Sequence, residues 1–305
     1  MNDFAWRRLY PFADQELRVG GWRYHYFDEG SGEPLLCVHG NPTWSFYWRR
    51  LPRAFGERYR VVAPDHLGCG LSDKPAEFSY TLAGHIDNLV ELVERLDLRQ
   101  VTLVAHDWGG AIGMGAALRL PERFSRFVLM NTAAFRAPWM PWRIRACRAP
   151  VLGTLAIRGM NAFARAALHM ATERGLDADI RAGLIAPYGN WRERIAIDRF
   201  VKDIPMTPAH QSYATLMKIE QGLARFRNHP MLLVWGMKDW CFSPHFLRRF
   251  QEFFPAAETL EIADAGHYVM EDSHETILPA LVDFLERHPV TADSTCASTG
   301  EASGA

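Results

Sequence analysis

The residues from Val101 to Gly110 constrain the fold of this chain more than any other stretch, because they lead from an apolar run through a sharp turn into a helical pattern. Asp107 lies at the turn. The small residues Ala105, Gly109 and Gly110 flank it, so the backbone can double back and project one side chain above the end of a strand. A carboxylate in that position can attack carbon and form a covalent ester.

Short apolar runs alternate with helical patterns on both sides of this turn. A hairpin of 17–19 and 22–27 comes first. The predicted parallel strands are 34–39, 59–64, 101–105, 127–131, 231–235 and 259–262. The predicted helices between and after them are 79–97, 109–120, 244–253 and 274–287. This alternation predicts an α/β fold with a mostly parallel, doubly wound sheet covered on both faces.

The alternation stops between residues 133 and 227, where the composition is helical and several prolines interrupt it. We therefore expect a helical cap at 133–227, inserted into a core formed by 1–132 and 228–288. The tail 289–305 is rich in Ser, Thr, Ala and Gly and is predicted to be disordered.

Composition excludes several classes of function. The 305 residues carry a net charge of −1, which does not favour nucleic-acid binding. The five cysteines have neither paired nor metal-ligand spacing, so we expect reduced thiols, a cytoplasmic protein, and no metal or organic cofactor. The first eight residues lack the apolar segment of a signal peptide, and no apolar run is long enough to span a bilayer.

Three residues follow predicted strands in the order nucleophile, acid, histidine, which is typical of the α/β-hydrolase fold. They are Asp107, Asp239 and His267. The carboxyl ends of parallel strands lie at one edge of the sheet, so these side chains can meet there. The alternatives are that Asp107 only caps a helix and that Asp239 is an ordinary loop residue.

Two neutral donors are predicted beside the nucleophile. Asn41, in the loop after strand 34–39, offers an amide NH₂, and Trp108 offers an indole N–H. Together they could hold a departing anion without neutralising Asp107. Alternatively, Trp108 packs in the core and Asn41 caps a turn. His39 and His106 end buried strands and are expected to be core imidazoles.

Four motifs give the chain a specific resemblance to the haloalkane dehalogenase family over nearly all of residues 10–288. They are His39-Gly-Asn-Pro-Thr-Trp-Ser, Pro64-Asp-His-Leu-Gly-Cys-Gly-Leu-Ser-Asp, His106-Asp-Trp-Gly-Gly and Ala265-Gly-His. The resemblance implies that Asn41 and Trp108 bind the leaving group. One branch of the family has a Glu acid after the strand before the cap. No carboxylate stands at 130–135 here, so the resemblance assigns the acid to Asp239.

Several cap and loop stretches resemble one subgroup, the β-lactone decarboxylases of bacterial long-chain olefin biosynthesis. They are Asn131-Thr-Ala-Ala-Phe, Leu152-Gly with Gly159-Met-Asn-Ala-Phe, Phe200-Val-Lys-Asp-Ile-Pro and Gly266-His-Tyr-Val-Met-Glu-Asp. This resemblance implies conversion of a cis-3-alkyl-4-alkyloxetan-2-one to a cis-alkene and CO₂. Asp107 would attack either the alkoxy carbon or the carbonyl carbon of the ring, and the sequence does not choose between them.

Three other functions stay open at this point. A true haloalkane dehalogenase would use the same residues with a water activated by His267. An epoxide hydrolase would need cap tyrosines, for which Tyr188 and Tyr213 are available, and that family usually has an aromatic residue at the position of Asn41. A non-catalytic ligand receptor would not need the complete triad.

The composition of the cap also suggests which substrate and partners the protein binds. Apolar residues that could line a channel for a long-chain substrate are Met140, Trp142, Leu155, Met160, Phe163, Leu168, Met170, Leu216 and Met217. For any single one of them, a place in the core of the cap is the favoured interpretation. No acidic residue interrupts the arginines between Arg143 and Arg165. Such a run is usually a solvated helix face, but it could dock on an anionic membrane or a partner enzyme. The subgroup resemblance implies a multi-enzyme assembly with neighbouring pathway enzymes.

Overall fold

The computed structural model describes residues 6–290, so the predicted tail from residue 291 onward lies outside the described residues. Its central feature is one eight-stranded sheet. The strands are β1 Gln15–Val19, β2 Trp22–Glu29, β3 Glu33–Val38, β4 Tyr59–Pro64, β5 Val101–Asp107, β6 Phe124–Thr132, β7 Met231–Gly236 and β8 Glu258–Ile262. Their spatial order is β1-β2-β4-β3-β5-β6-β7-β8. β1 and β2 pair antiparallel, as do β2 and β4, and every later pair is parallel. The predicted α/β class and mostly parallel sheet are confirmed.

Helices cover both faces of this sheet. Those of the core are α1 Leu51–Phe55, α2 Leu82–Arg95, α3 Trp108–Arg119, α10 Pro244–Phe253 and α11 Val269–Arg287. α2 begins three residues later than predicted, because the Thr81 hydroxyl accepts a hydrogen bond from the Gly84 N–H and caps the first turn. α11 begins five residues earlier than predicted and contains a kink at Ser273, whose backbone angles are not helical.

Between β6 and β7 the chain contains helices and no strand. They are α4 Trp142–Cys147, α5 Pro150–Thr154, a π-helical turn Leu155–Gly159, α6 Ala162–Met170, α7 Ala178–Ile185, α8 Ile195–Lys202 and α9 Tyr213–Gly222. The sheet leads into this segment from the carboxyl end of β6, at the edge where β5 also ends, so the helices lie over the predicted site. We refer to 133–227 as the cap.

Two large apolar clusters pack on the sheet, because alternate side chains of the buried parallel strands point to opposite faces. Leu103 and Ala105 of β5 belong to one cluster, and Val104 belongs to the other. Among residues 6–290, no helix is long and apolar enough to cross a membrane.

Candidate active site

Asp107 lies at the junction of β5 and α3 in a conformation that few residues adopt. Its φ of 52° and ψ of −127° are strained for a residue with a side chain. The two glycines that follow Trp108 allow this geometry. A Cβ at Gly109 would lie 2.1 Å from the Val38 carbonyl oxygen, and one at Gly110 would lie 2.0 Å from the Thr132 hydroxyl oxygen. The Asp107 side chain makes no capping hydrogen bond to α3, which contradicts the helix-cap alternative.

One carboxylate oxygen of Asp107 is held by the backbone. Oδ1 accepts a hydrogen bond of 2.6 Å from the Asn41 N–H. A Cβ at Gly40 would lie 2.0 Å from Oδ1, so only glycine allows the loop after β3 to approach this closely. Burial raises the pKa of Asp107 above its usual value, although the charge of His267 and the nearby backbone N–H groups oppose that shift.

His267 follows β8 and faces both carboxylates. Its Nδ1–H donates to Asp239 Oδ2 over 2.8 Å, and its Nε2 lies 3.7 Å from Asp107 Oδ2. Phe242 stacks on the imidazole, with ring centroids 5.7 Å apart. Burial alone would lower the pKa of His267. The charge and hydrogen bond of Asp239, together with the charge of Asp107, outweigh it, so the net pKa lies above its usual value. This arrangement favours an imidazolium next to Asp107.

Asp239 follows β7 and is buried with hydrogen bonds to both of its oxygens. Oδ1 accepts from the backbone N–H groups of Cys241 (2.6 Å) and Phe242 (3.0 Å). Oδ2 accepts from His267 and from the Asn131 side-chain amide, the latter over 2.9 Å. Every partner of Asp239 is therefore a donor, which suits an ionised carboxylate.

The sequence analysis missed the role of Asn131. This residue is the last but one of β6, its φ is 34°, and its side chain is fully buried. Its amide donates to Asp239 and to the Gly236 carbonyl oxygen, and its carbonyl oxygen accepts from the Gly236 N–H over 2.8 Å. Asn131 thus fixes the end of β7 and the acid that follows it. The available signal was a polar residue at the carboxyl end of a buried strand.

Asn41 and Trp108 both line the cavity above Asp107. The Asn41 Nδ2 donates to the Ile197 carbonyl oxygen over 3.3 Å, and its second hydrogen is free for a ligand. The Trp108 ring packs against Phe200 with centroids 5.3 Å apart. Each residue therefore has a contact with α8 and also lines the cavity.

The two neighbouring histidines are buried and neutral, as expected for core imidazoles. His39 Nδ1–H donates to the Gly40 carbonyl oxygen, and its Nε2 accepts from the His66 N–H. His106 Nε2–H donates to the His267 carbonyl oxygen over 2.9 Å, while its Nδ1 has no partner among the described residues. Burial lowers the pKa of both His39 and His106. No group of three or more His, Cys, Asp or Glu in the range 6–290 could hold a metal ion.

An apolar cavity of about 500 Å³ lies between Asp107 and the cap. Of the residues predicted to line it, five do: Met140, Trp142, Phe163, Met170 and Leu216. Leu155, Met160, Leu168 and Met217 do not line it, and Leu168 belongs to the apolar core instead, as the alternative predicted. The helical period explains the case of α6. Phe163, Ala166, Ala167 and Met170 share one face towards the cavity, whereas Leu168 points elsewhere into the apolar core.

The chain from residue 33 to 273 matches the family model described as alpha/beta hydrolase fold. A solved structure of the haloalkane dehalogenase DatA from Agrobacterium tumefaciens C58 superposes with a TM-score of 0.81 at 26% identity, covering 90% of this chain and 96% of that one. The fold and the strand-end site thus define an α/β-hydrolase with a dehalogenase-like architecture.

Two relatives narrow this class. The cis-3-alkyl-4-alkyloxetan-2-one decarboxylase of Shewanella oneidensis is 42% identical, with 91% of this chain and 89% of the relative covered. The enzyme of the same name from Xanthomonas campestris pv. campestris is also 42% identical, with 92% and 98% covered. The chain belongs to the family of the cis-3-alkyl-4-alkyloxetan-2-one decarboxylases, which confirms the resemblance stated from the motifs.

Proposed function

We propose that this protein is a β-lactone decarboxylase that converts a cis-3-alkyl-4-alkyloxetan-2-one to a cis-alkene and CO₂. The observation that carries the proposal is the position of Asp107. It is a buried carboxylate with one oxygen held by the Asn41 N–H and the other facing His267, at the base of an apolar cavity. The 42% identity to two decarboxylases over about nine-tenths of the chain supports the same substrate class.

In the proposed first step, Asp107 attacks the ring carbon that bears the ring oxygen. The carbon–oxygen bond of the ring breaks, a new ester bond to Asp107 forms with inversion, and the lactone carbonyl becomes a free carboxylate. Asn41 and Trp108, which line the cavity, would donate hydrogen bonds to this new anion. The long apolar substituents fit a cavity with an almost entirely apolar lining.

In the second step the carboxylate leaves as CO₂. The electrons of the broken carbon–carbon bond form the alkene and expel Asp107 as a carboxylate, so the site is regenerated without water. Elimination from opposite faces after the inversion yields the cis-alkene from a cis-lactone. The His267 imidazolium, 3.7 Å from Asp107 Oδ2, stabilises the departing carboxylate, and Asp239 keeps the ring charged and oriented. Attack at the carbonyl carbon would instead leave an alkoxide, a poorer leaving group for alkene formation.

The dehalogenase alternative uses the same donors, Asn41 and Trp108, to bind halide. Incubation of the purified protein with a synthetic cis-β-lactone and, separately, with a haloalkane distinguishes the two functions. We expect alkene and CO₂ from the lactone, and none with Asp107→Asn. Rapid halide release together with an unchanged lactone would overturn the proposal.

The epoxide hydrolase alternative loses its support in the cap. The Tyr188 hydroxyl donates to the Thr43 carbonyl oxygen, and the Tyr213 hydroxyl accepts from Arg136. Neither tyrosine lines the cavity, so neither is placed to polarise an epoxide oxygen.

We further propose a cytoplasmic protein that works in an assembly with other enzymes of olefin biosynthesis and associates peripherally with a membrane. The cysteines of the described chain support the first point, since Cys37, Cys69, Cys147 and Cys241 are all free thiols. A long-chain lactone is poorly soluble in water, which favours its transfer between neighbouring enzymes or from a lipid phase.

A further inference from the structure

The cap carries an unusual set of exposed apolar side chains on the surface formed by α4, α5 and the π-helical turn that follows. We name this surface the cap lip and define it by Trp142, Val151, Leu152, Leu155, Met160 and Trp191. Three of them are highly exposed: Trp142 at 73%, Val151 at 70% and Leu152 at 74%. Val151, Leu155 and Trp191 together line a shallow depression, so the surface is continuous there. Exposed apolar patches of this kind mark interaction surfaces.

The cap lip is also strongly basic. Arg143, Arg145, Arg148 and Arg158 lie within or beside it, and no Asp or Glu occurs between residues 123 and 172. Neither Arg143 nor Arg145 makes an ion pair with another described residue. Asp198, which accepts a hydrogen bond from the Thr154 hydroxyl of α5, is buried and already paired with Lys202. The surface therefore presents uncompensated positive charge, which complements an anionic partner.

Arginines and tryptophans are combined on this surface. The Arg143 guanidinium lies 5.6 Å from the Trp142 ring centroid and 5.3 Å from that of Trp240, and the Arg158 guanidinium lies 4.6 Å from that of Trp191. Amphipathic tryptophan rings with adjacent cations are typical of protein segments that lie in the headgroup region of a bilayer. An acidic partner protein could match the arginines. The exposed leucine, valine and methionine side chains favour a membrane instead, because they can enter the boundary between headgroups and acyl chains.

The cap lip is continuous with the mouth of the cavity above Asp107. Trp142, Arg143 and Ala146 of α4 line that cavity and are also exposed, so the cavity opens to the surface at this helix. A substrate with two long alkyl chains resides mainly in lipid, because each buried methylene contributes about 0.8 kcal/mol to leaving water. A substrate that enters the cavity from lipid would therefore pass the exposed residues of α4.

From these features we infer that the cap lip docks on an anionic phospholipid bilayer and sets the cavity mouth against it, so that the substrate passes from the acyl phase into the cavity without crossing water. The docking follows from the surface alone. The delivery of substrate rests on the proposed lactone decarboxylase function.

Sedimentation of the full chain with vesicles tests the docking. We expect binding to phosphatidylcholine vesicles that contain phosphatidylglycerol and little binding to phosphatidylcholine alone. Arg145→Glu should reduce the partition coefficient at least about five-fold, since one basic residue near an anionic surface contributes about 1 kcal/mol. Arg53→Glu is the matched control, because Arg53 is also exposed on a helix, α1, but lies outside the cap. The double variant Val151→Ser, Leu152→Ser should weaken binding as well.

Turnover measurements distinguish membrane docking from the delivery of substrate. Val151 and Leu152 do not line the cavity, so their double variant should decarboxylate a short-chain, water-soluble lactone at the wild-type rate. The same variant should lose rate on a long-chain lactone embedded in anionic vesicles. Equal binding of wild type and Arg145→Glu, or binding only to a protein partner, would overturn the docking. Failure to convert any lactone, with vesicle binding intact, would overturn the proposed function alone.

Discussion

Replacing Asp239 with Asn gives the sharpest test of the proposed chemistry, because every hydrogen bond to this side chain comes from a donor. The backbone N–H groups of Cys241 and Phe242 face one oxygen, and Asn131 and His267 face the other. An amide has one acceptor oxygen and one donor NH₂, so it can accept hydrogen bonds from only one of these two pairs of donors. If its oxygen faces the backbone, its NH₂ faces His267, whose Nδ1 must then become an acceptor. The imidazole changes tautomer and loses its charge.

The expected loss of rate follows from the distance between His267 and Asp107. Nε2 lies 3.7 Å from Oδ2. Two unit charges about 4 Å apart interact by about 4 kcal/mol at an effective dielectric constant of about 20. Without Asp239, burial remains as the main influence on the pKa of His267 and lowers it, so this attraction is lost near neutral pH. Because about 1.4 kcal/mol corresponds to tenfold in rate, kcat should fall roughly a thousandfold.

Single-turnover alkene formation, followed by gas chromatography, measures this effect, and thermal unfolding monitors the fold. Asp203→Asn is the matched control. Asp203 is also a buried carboxylate in a hydrogen-bond network, with Leu82 N and Ser212 Oγ as donors, but it does not line the cavity. Both variants should lose stability, and only Asp239→Asn should lose the chemistry. If the Asp239→Asn variant forms alkene within tenfold of the wild-type rate, the role given to the His267 charge is refuted.

Three further outcomes are expected from the same geometry. Gly40→Ala should reduce kcat about a hundredfold or more with the fold intact, because the new Cβ would overlap Asp107 Oδ1 and displace the Asn41 N–H. Removal of one oxyanion-hole donor has an effect of this size in other enzymes. Gly159→Ala is the control, since its Cβ meets nothing closer than 3.9 Å, and equal rates for the two variants would contradict this account. Lactone turnover in heavy-oxygen water should leave Asp107 unlabelled in peptide mass spectra, whereas incorporated label would show hydrolysis of an ester. The rate should rise with pH through a pKa above the usual 3.8 of an aspartate, as Asp107 ionises, and fall through a pKa above the usual 6.5 of histidine, as His267 loses its proton; a profile that does not fall on the alkaline side would exclude the imidazolium.

The catalytic candidates could be found from the sequence because each directly follows a buried strand. Asp107, Asp239 and His267 all lie at the carboxyl edge of one parallel sheet, and that edge is fixed once the strands are recognised by their apolar runs. The structure brings all three together, with Asp107 and Asp239 on either side of His267. Asn131 also lies at the carboxyl end of a strand, one residue before its last, but its contact with Asp239 depends on side-chain orientation, which no local pattern specifies.

The cap was less accessible to sequence reasoning. Its helical character is visible in composition, yet helical composition does not say which face of a short helix meets the cavity and which meets solvent. Met160 and Leu155 are as apolar as Met140, but they are exposed, whereas Met140 lines the cavity. The difference arises from how the cap helices pack on one another and on the sheet, and that packing is non-local.

The sequence by itself determined the strand order along the chain, the sharp turn at Asp107 and the chemical types of the site residues, because these depend on local periodicity and on glycines that no other residue can replace. Only the tertiary structure decided that Oδ1 of Asp107 is held by the Asn41 N–H and that Asn131 fixes the acid. It also decided that Trp142 and Arg143, which are exposed on α4, line the cavity above Asp107. These contacts join residues distant in the chain, so their geometry exists only after the sheet and the cap have packed.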